Sequence, residues 1–271
     1  MYLPVEAAEM VLRLLLEGNS ISSVERITEI HHTTILKLLV LAGEKCERIM
    51  AEKIRNVRVR DVECDEVWAF IGKKQKRVRP DDDPNLGDAY TFVAIERHSK
   101  LVLNFALGKR DQHTTNAFIE GLSQGVSPRH NFQITTDGFR PNVGAIDATL
   151  GHCVDFAQLI KVYGASSEGE GRYSPAEVID TEVVPVIGNP DPDRICTSIV
   201  ERSNLSLRMG IRRFTRLTNA FSKKWENHGA AVACWFAFYN FCRVHKSLRM
   251  TPAMAAGIAD HMWSVRESLE A

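Results

Sequence analysis

The 271-residue sequence lacks the features of a membrane-spanning, zinc-binding or disulfide-rich protein. A helix that spans a membrane needs about 18 consecutive uncharged apolar residues. No run in this sequence approaches that length, so no membrane span is expected. Six cysteines are dispersed and none forms a Cys-x-x-Cys pair, which argues against a zinc site or a disulfide framework. Reduced thiols in a cytoplasmic protein are the simplest interpretation.

The chain also lacks a net charge, because 34 basic residues balance 34 acidic ones. Many DNA-binding proteins are basic overall, so this balance counts slightly against that class. The distribution is nevertheless uneven, since residues 202–224 contain basic side chains and no acidic one. Such a stretch favours contact with a phosphate backbone over an ordinary solvated surface.

Three acidic residues occur in three different local patterns. Asp65 lies in an apolar strand pattern at 62–70, Asp137 follows a strand pattern at 131–136, and Glu201 opens a helical pattern. Carboxylates from two strands and a helix can converge on two Mg²⁺ ions, which together hold a phosphodiester for in-line attack. These three residues are therefore candidate metal ligands, although 34 acidic residues supply many triples of this kind.

Two of these positions have competitors. Glu66 competes with Asp65, although neighbouring strand residues point to opposite faces of a sheet. The two are therefore not expected to bind one metal together without a bulge. Asp155 and Asp193 are alternatives to Glu201 if the helix is rotated.

The order of the predicted elements indicates an α/β fold. Three antiparallel strands, a helix, a strand, a helix and a strand precede the Glu201 helix, which is the order of ribonuclease H-like folds. We expect a catalytic domain with a mixed sheet and helices at residues 59–255. Within it, residues 161–194 are rich in glycine and proline and are predicted to be an insertion or long loop. Residues 256–271 would form a C-terminal tail.

Residues 1–58 show helical apolar spacing with two interruptions, which predicts three helices with a short second one. This arrangement is typical of a helix-turn-helix DNA-binding domain. Thr33, Thr34 and Lys37 would then lie at the start of the recognition helix and contact DNA. A helical bundle used for dimerisation is the alternative.

The chain resembles the DDE transposases of bacterial insertion sequences, especially the insertion-sequence-one type. The resemblance covers four stretches between about residues 60 and 255, namely CDEVWAFIGKK, TTDGF, IVERSNLSLRMGIRRFTRLTNAFSK and FYNFCRVHKSLRMTPA. It implies an enzyme that cleaves transposon-end DNA and joins the freed 3′-hydroxyl to target DNA. It also implies two Mg²⁺ (or Mn²⁺) ions held by Asp65, Asp137 and Glu201.

The same resemblance suggests how DNA is bound. Asn204 and Arg208 would share a helix face with Glu201, and a basic residue two turns after the last acid matches the family's contact with donor-end DNA. The predicted DNA-binding residues of this region are Asn204, Arg208, Arg212, Arg213, Arg216, Lys223 and Lys224. Two transposon ends imply at least a dimer, acting at the nucleoid of a bacterial cytoplasm.

Two other functions remain open from the sequence alone. One is a non-enzymatic helix-turn-helix regulator, including a disabled or domesticated transposase that has kept only DNA binding. The other is a simple nuclease of the ribonuclease H type, which would cut without end specificity and without strand transfer. The intact acidic triad favours an enzyme, and the basic run after Glu201 favours a transposase over a simple nuclease.

Overall fold

A computed structural model describes residues 3–164, 178–215 and 218–270 of the chain. The helices are α1 (Val5–Leu16), α2 (Ile21–Thr28), α3 (His32–Lys53), α4 (Gln112–Gly125), α5 (Pro141–Leu150), α6 (Ser198–Gly210), α7 (Trp225–Ala237), α8 (Pro252–Ala255) and α9 (Val265–Glu270). The strands are β1 (Asp61–Ile71), β2 (Gly87–Glu96), β3 (Val102–Gly108), β4 (Phe132–Thr136), β5 (Val154–Tyr163) and β6 (Val178–Ile187). Among the described residues, none of the helices combines the length and the apolar character needed to span a bilayer.

The six strands form one mixed sheet in the order β3-β2-β1-β4-β5-β6. Strands β2 and β3 are antiparallel neighbours on one side of β1, whereas β4 and β5 run parallel to β1 on the other side. This is the ribonuclease H-like arrangement, preceded here by a helical N-terminal region. The predicted fold class is therefore confirmed.

Residues 161–194 were predicted to be an insertion or a long loop, and the long-loop alternative was wrong for residues 161–163 and 178–187, which lie in strands. Strand β5 continues to Tyr163, and β6 pairs antiparallel with it. The glycines and prolines that suggested a loop surround a Val- and Ile-rich strand that contains Pro185. Proline is tolerated there because β6 lies at the edge of the sheet.

The N-terminal region contains the three expected helices, with α2 the shortest of them. Helix α3 continues unbroken past Gly43. A Cβ atom at Gly43 would lie only 2.5 Å from Cα of Ala230 on α7, so glycine permits a close helix contact. Buried residues of α3, α7 and the sheet belong to one continuous core, which joins the helical region to the sheet.

Candidate metal-binding cleft

Parallel pairing of β1 and β4 places two of the predicted carboxylates side by side. Glu63 of β1 is in register with Thr135 of β4, so two residues further along Asp65 is level with Asp137. Asp137 begins the turn after β4, where its Oδ1 accepts the backbone N–H of Phe139 at 3.0 Å. The central strand and the strand beside it therefore deliver both aspartates to one end of the sheet.

Helix α6 is attached to β1 by two polar contacts. The buried carboxylate of Glu63 accepts the backbone N–H groups of Ile199 and Val200 at 2.8 and 3.0 Å, which caps the helix N-terminus. One turn later the Asn204 amide donates to Oδ2 of Asp65 at 2.8 Å. These contacts orient the helix that carries Glu201 over the strand that carries Asp65.

The three predicted carboxylates line one cleft of about 470 Å³. Its walls come from β1, the turn after β4, β5 and the start of α6. The lining residues are Asp65, Arg110, Asp137, Gly138, Phe139, Arg140, Leu159, Ile160, Lys161, Tyr163, Thr197 and Glu201. Asp155 and Asp193, the sequence alternatives to Glu201, are not among the described residues of this lining.

Asp65, Glu66 and Asp137 each offer a carboxylate oxygen within 4.8 Å of the others. The expectation that Glu66 and Asp65 point away from a common site was therefore wrong. Strand β1 has no register shift at these residues, so no bulge accounts for their approach. The Glu66 carboxylate is held in this group by Arg110, which donates to its Oε2 at 3.2 Å.

Glu201 stands apart from this group of three carboxylates. Its Oε1 accepts the hydroxyl of Thr197 at 2.6 Å and pairs with the ammonium group of Lys161. Glu201 therefore faces the same cleft while its charge is balanced by a lysine of β5.

Arg110, in the connection between β3 and α4, bridges two members of the acidic group. Its guanidinium donates to Oε2 of Glu66 at 3.2 Å and to Oδ2 of Asp137 at 3.0 Å. The same group lies over the ring of Phe139, 4.0 Å from its centroid. One arginine thus neutralises part of the charge concentrated here.

The crowded carboxylates have raised pKa values. Burial raises the pKa of Asp65 to about 6, and the charges of Asp137 and Glu201 add to this effect. Burial also raises the pKa of Glu66, assisted by Asp137 and opposed by Arg110. In both cases removal from water and nearby like charges disfavour the ionised form.

The donor set fits a hard divalent cation. Magnesium prefers oxygen ligands, and the cleft offers carboxylate oxygens from Asp65, Glu66 and Asp137, with Glu201 on the same wall. A bound cation would also favour the ionised form of Asp65, whose pKa is raised by burial and, to a smaller extent, by the charges of Asp137 and Glu201. Zinc-type donors are not part of this set, since no cysteine or histidine is among the described lining residues.

The predicted DNA-binding residues differ in how exposed they are to solvent. Arg212, Lys223 and Lys224 are exposed, whereas Arg208 is half-buried on α6. Thr33 and Lys37 are exposed at the start of α3, with Thr34 half-buried beside them. Arg216 lies outside the described residues.

Two of these residues are placed differently from expectation. Arg213 turns inward and donates to the Ser222 hydroxyl at 3.3 Å, and burial lowers the pKa of its guanidinium to about 10. Asn204 is buried and contacts Asp65 rather than facing a phosphate. The local sequence suggested that Arg213 and Asn204 lie on basic or polar faces. Packing of α6 and the following turn instead directs their side chains inward.

Sequence interpretation missed Glu63, Arg110, Lys161 and Thr197. Glu63 had a signal, because it lies two residues before Asp65 and so on the same face of β1. Lys161 was missed because it was assigned to the predicted insertion or long loop at residues 161–194, whereas it lies in β5. Arg110 and Thr197 carry no local signal, since their roles depend on contacts with distant segments.

No protein-family model and no curated protein matches this sequence. Solved structures with similarity include the Mos1 transposase paired-end complex with left transposon end, at 11% identity and a TM-score of 0.25, covering 55% of this chain and 57% of that one. The piggyBac transposase synaptic complex with hairpin DNA is 9% identical, with a TM-score of 0.43, and covers 98% of this chain and 69% of that one.

The Mos1 strand transfer complex is also similar, at 13% identity and a TM-score of 0.26, covering 55% of this chain and 56% of that one. The chain therefore spans a little over half the length of the Mos1 chains that it matches. Identities and TM-scores of this size do not assign the chain to a family. The argument for function accordingly rests on the acidic cleft and its place in the fold.

Proposed function

We propose that this chain is a DNA transposase that cleaves transposon-end DNA and joins its 3′-hydroxyl to target DNA. One observation carries the proposal: Asp65, Asp137 and Glu201 line a single cleft at one end of a ribonuclease H-like sheet. The sequence resemblance to DDE transposases of the insertion-sequence-one type supports the same conclusion, because it names the same three residues.

In this proposal Asp65, Asp137 and Glu201 hold two Mg²⁺ (or Mn²⁺) ions. Bound divalent ions would activate the attacking oxygen and stabilise the charge that develops on the phosphoryl oxygens. Asp137 and Glu201 both lie near enough for their charges to add to the effect of burial, which raises the pKa of Asp65. Asn204 orients the Asp65 carboxylate, and Glu63 fixes the helix that carries Glu201.

Glu66 is the alternative third carboxylate. It belongs to the group within 4.8 Å, whereas Glu201 is held by Lys161 and Thr197. Comparison of Glu201→Gln with Glu66→Gln decides between them. Loss of catalysis in the first variant with retention in the second would support the assignment of Glu201.

We further propose that residues 1–58 read the transposon ends through the start of α3 and that residues 59–255 carry the chemistry. The exposed side chains of Thr33 and Lys37 and the exposed cations Arg212, Lys223 and Lys224 support a DNA-facing surface. Simultaneous binding of two ends would require at least a dimer. A bacterial enzyme of this kind would work in the cytoplasm at the nucleoid.

The test is a cleavage and strand-transfer assay with Mg²⁺, using DNA that flanks the coding sequence and carries its inverted repeats. Transfer by the wild type and not by Glu201→Gln would support the transposase. Metal-independent binding without cutting by either protein would favour the regulator or a disabled transposase. Cutting of unrelated DNA without strand transfer would favour the simple nuclease.

Asp137→Asn provides a second, independent test of the site. We expect this variant to lose cleavage and to keep binding of transposon-end DNA, because the substitution leaves the basic surface unchanged. A gel-shift assay beside the cleavage assay separates the two properties. Retained cleavage would remove Asp137 from the catalytic site.

A further inference from the structure

Arg110 contacts a carboxylate oxygen of Asp137 that could bind a metal. Oδ1 of Asp137 is engaged by the backbone N–H of Phe139 at 3.0 Å. The other oxygen, Oδ2, makes no hydrogen bond to this turn, and it accepts from Arg110 at 3.0 Å. The guanidinium also contacts Oε2 of Glu66, the neighbouring member of the acidic group.

The ion pair between Lys161 and Glu201 does not compete with a metal in the same way. Both described contacts of Glu201, from Lys161 and from Thr197, are made to Oε1. Oε2 is therefore not engaged in either contact. Competition between a side-chain cation and a divalent ion is thus concentrated at Arg110.

The position of Arg110 also allows it to contact a DNA phosphate. Its side chain is 37% exposed and lines the cleft, so rotation can direct it toward bound DNA without unfolding the site. The face of Phe139 supports the guanidinium at 4.0 Å. A planar guanidinium fork matches a phosphate as well as it matches a carboxylate.

We propose that Arg110 is the internal counter-cation of the cleft, which a divalent ion displaces from Asp137 and which then binds the phosphodiester of the DNA. The inference rests on the proposed function, since it takes the cleft to bind both divalent ions and DNA. In a fraction of the free protein molecules Arg110 blocks the site, and only the remaining molecules can bind the ion. The apparent metal affinity of the free protein is lowered accordingly. Removal of Arg110 should therefore tighten metal binding and weaken DNA binding.

The first experiment measures Mn²⁺ affinity by calorimetry for the wild type, Arg110→Gln and Arg140→Gln. Arg140 is a matched control because it is an exposed arginine in the lining of the same cleft. We expect Arg110→Gln to bind Mn²⁺ about three- to tenfold more tightly, and Arg140→Gln to remain close to the wild type. Unchanged or weaker binding by Arg110→Gln, or an equal gain in Arg140→Gln, would overturn the proposal.

Arg110→Lys provides a second variant if the glutamine variant does not fold. It keeps the charge and loses the fork, so its Mn²⁺ affinity should lie between those of the wild type and Arg110→Gln. An affinity below that of the wild type would count against competition. Circular dichroism of each variant establishes that the folded protein is being compared.

The second experiment measures binding of a transposon-end duplex by fluorescence anisotropy in EDTA and in Ca²⁺. Arg110→Gln should bind several-fold more weakly than the wild type in Ca²⁺ and equally well in EDTA. The reason is that Arg110 is released to the phosphate only when a divalent ion takes its place. Equal weakening in both buffers, or no weakening in Ca²⁺, would overturn transfer to the phosphate.

The failure of this inference can be distinguished from failure of the proposed function. Strand transfer by the wild type with no gain in Mn²⁺ affinity in Arg110→Gln would overturn the counter-cation alone. The expected gain in affinity without any DNA cleavage would overturn the transposase and leave the counter-cation standing. Absence of Mn²⁺ binding in every variant would overturn both.

Discussion

The side-chain amide of Asn204 donates to Oδ2 of Asp65 at 2.8 Å and so ties helix α6 to the centre of the sheet. Replacing Asn204 by alanine leaves a buried carboxylate without this donor. We expect a loss of about 1–3 kcal/mol in the free energy of unfolding, together with lower catalytic activity. Urea denaturation measures the first effect.

The control for Asn204→Ala is Asn219→Ala, at an exposed position. The control should unfold like the wild type. Equal stability of the two variants would show that the contact between Asn204 and Asp65 contributes nothing to folding.

Glu63 is expected to stabilise the N-terminus of α6, because its carboxylate accepts two backbone N–H groups there. Glu63→Ala should lower the free energy of unfolding by about 1–2 kcal/mol, the usual cost of losing a helix cap. Glu63→Gln keeps an acceptor oxygen and should lose much less. Thermal unfolding of both variants, with exposed Glu182→Ala as control, checks this expectation. A glutamine variant as unstable as the alanine variant would argue against capping.

Asp65 should make the metal-free protein less stable as pH rises. Burial raises its pKa from 3.8 to about 6, so between these values the unfolded chain releases a proton that the folded protein keeps. The penalty is absent below the lower value and fully present above the higher one. Asp65→Asn should therefore be more stable than the wild type by about 1–3 kcal/mol at about pH 8.

Urea denaturation in EDTA at about pH 8 and at about pH 4.5 tests this expectation. The advantage of Asp65→Asn should shrink at the lower pH, whereas Asp193→Asn, on an exposed turn, should show no advantage at either. A stability difference that does not change with pH would contradict the assigned cause.

Gly43 should be intolerant of a side chain because α3 and α7 approach closely there. A Cβ atom would meet Cα of Ala230 at 2.5 Å. Gly43→Ala should cost about 1–3 kcal/mol of stability despite the higher helix propensity of alanine.

Gly144→Ala is the matched control, because its Cβ would meet nothing within 4 Å on helix α5. It should gain up to about 1 kcal/mol of stability. Thermal denaturation distinguishes the opposite signs. A gain at both positions would show that the helices can separate without cost.

The adjacent residues Arg212 and Arg213 should have different roles. Arg212 is exposed, so Arg212→Ala should reduce the slope of log affinity against log salt by about 0.9 for DNA, with little change in stability. Arg213 is half-buried and donates to Ser222, so Arg213→Ala should cost about 1.5–3 kcal/mol of stability. DNA binding at several salt concentrations and urea denaturation test the pair. Reversed effects would contradict the placement of these side chains.

Most of the sheet could be predicted from the sequence, because apolar alternation is a local property of strands. Strands β1 to β5 and helices α3 to α6 were expected in the observed order. Strand β6 was missed, since its Val and Ile residues adjoin glycine and proline and its partner lies in a different segment. The candidate acids were found from local patterns together with the family resemblance, because Asp65 interrupts a strand pattern, Asp137 follows one and Glu201 opens a helical pattern.

The sequence by itself determined most of the helices and strands and the carboxylates that they carry. The tertiary structure alone decided which cations face those carboxylates and which polar groups turn inward. Arg110 meets Asp137, and Asn204 meets Asp65, across 27 and 139 residues of chain. Such contacts depend on strand order and helix docking, and neither is encoded in the spacing of neighbouring residues.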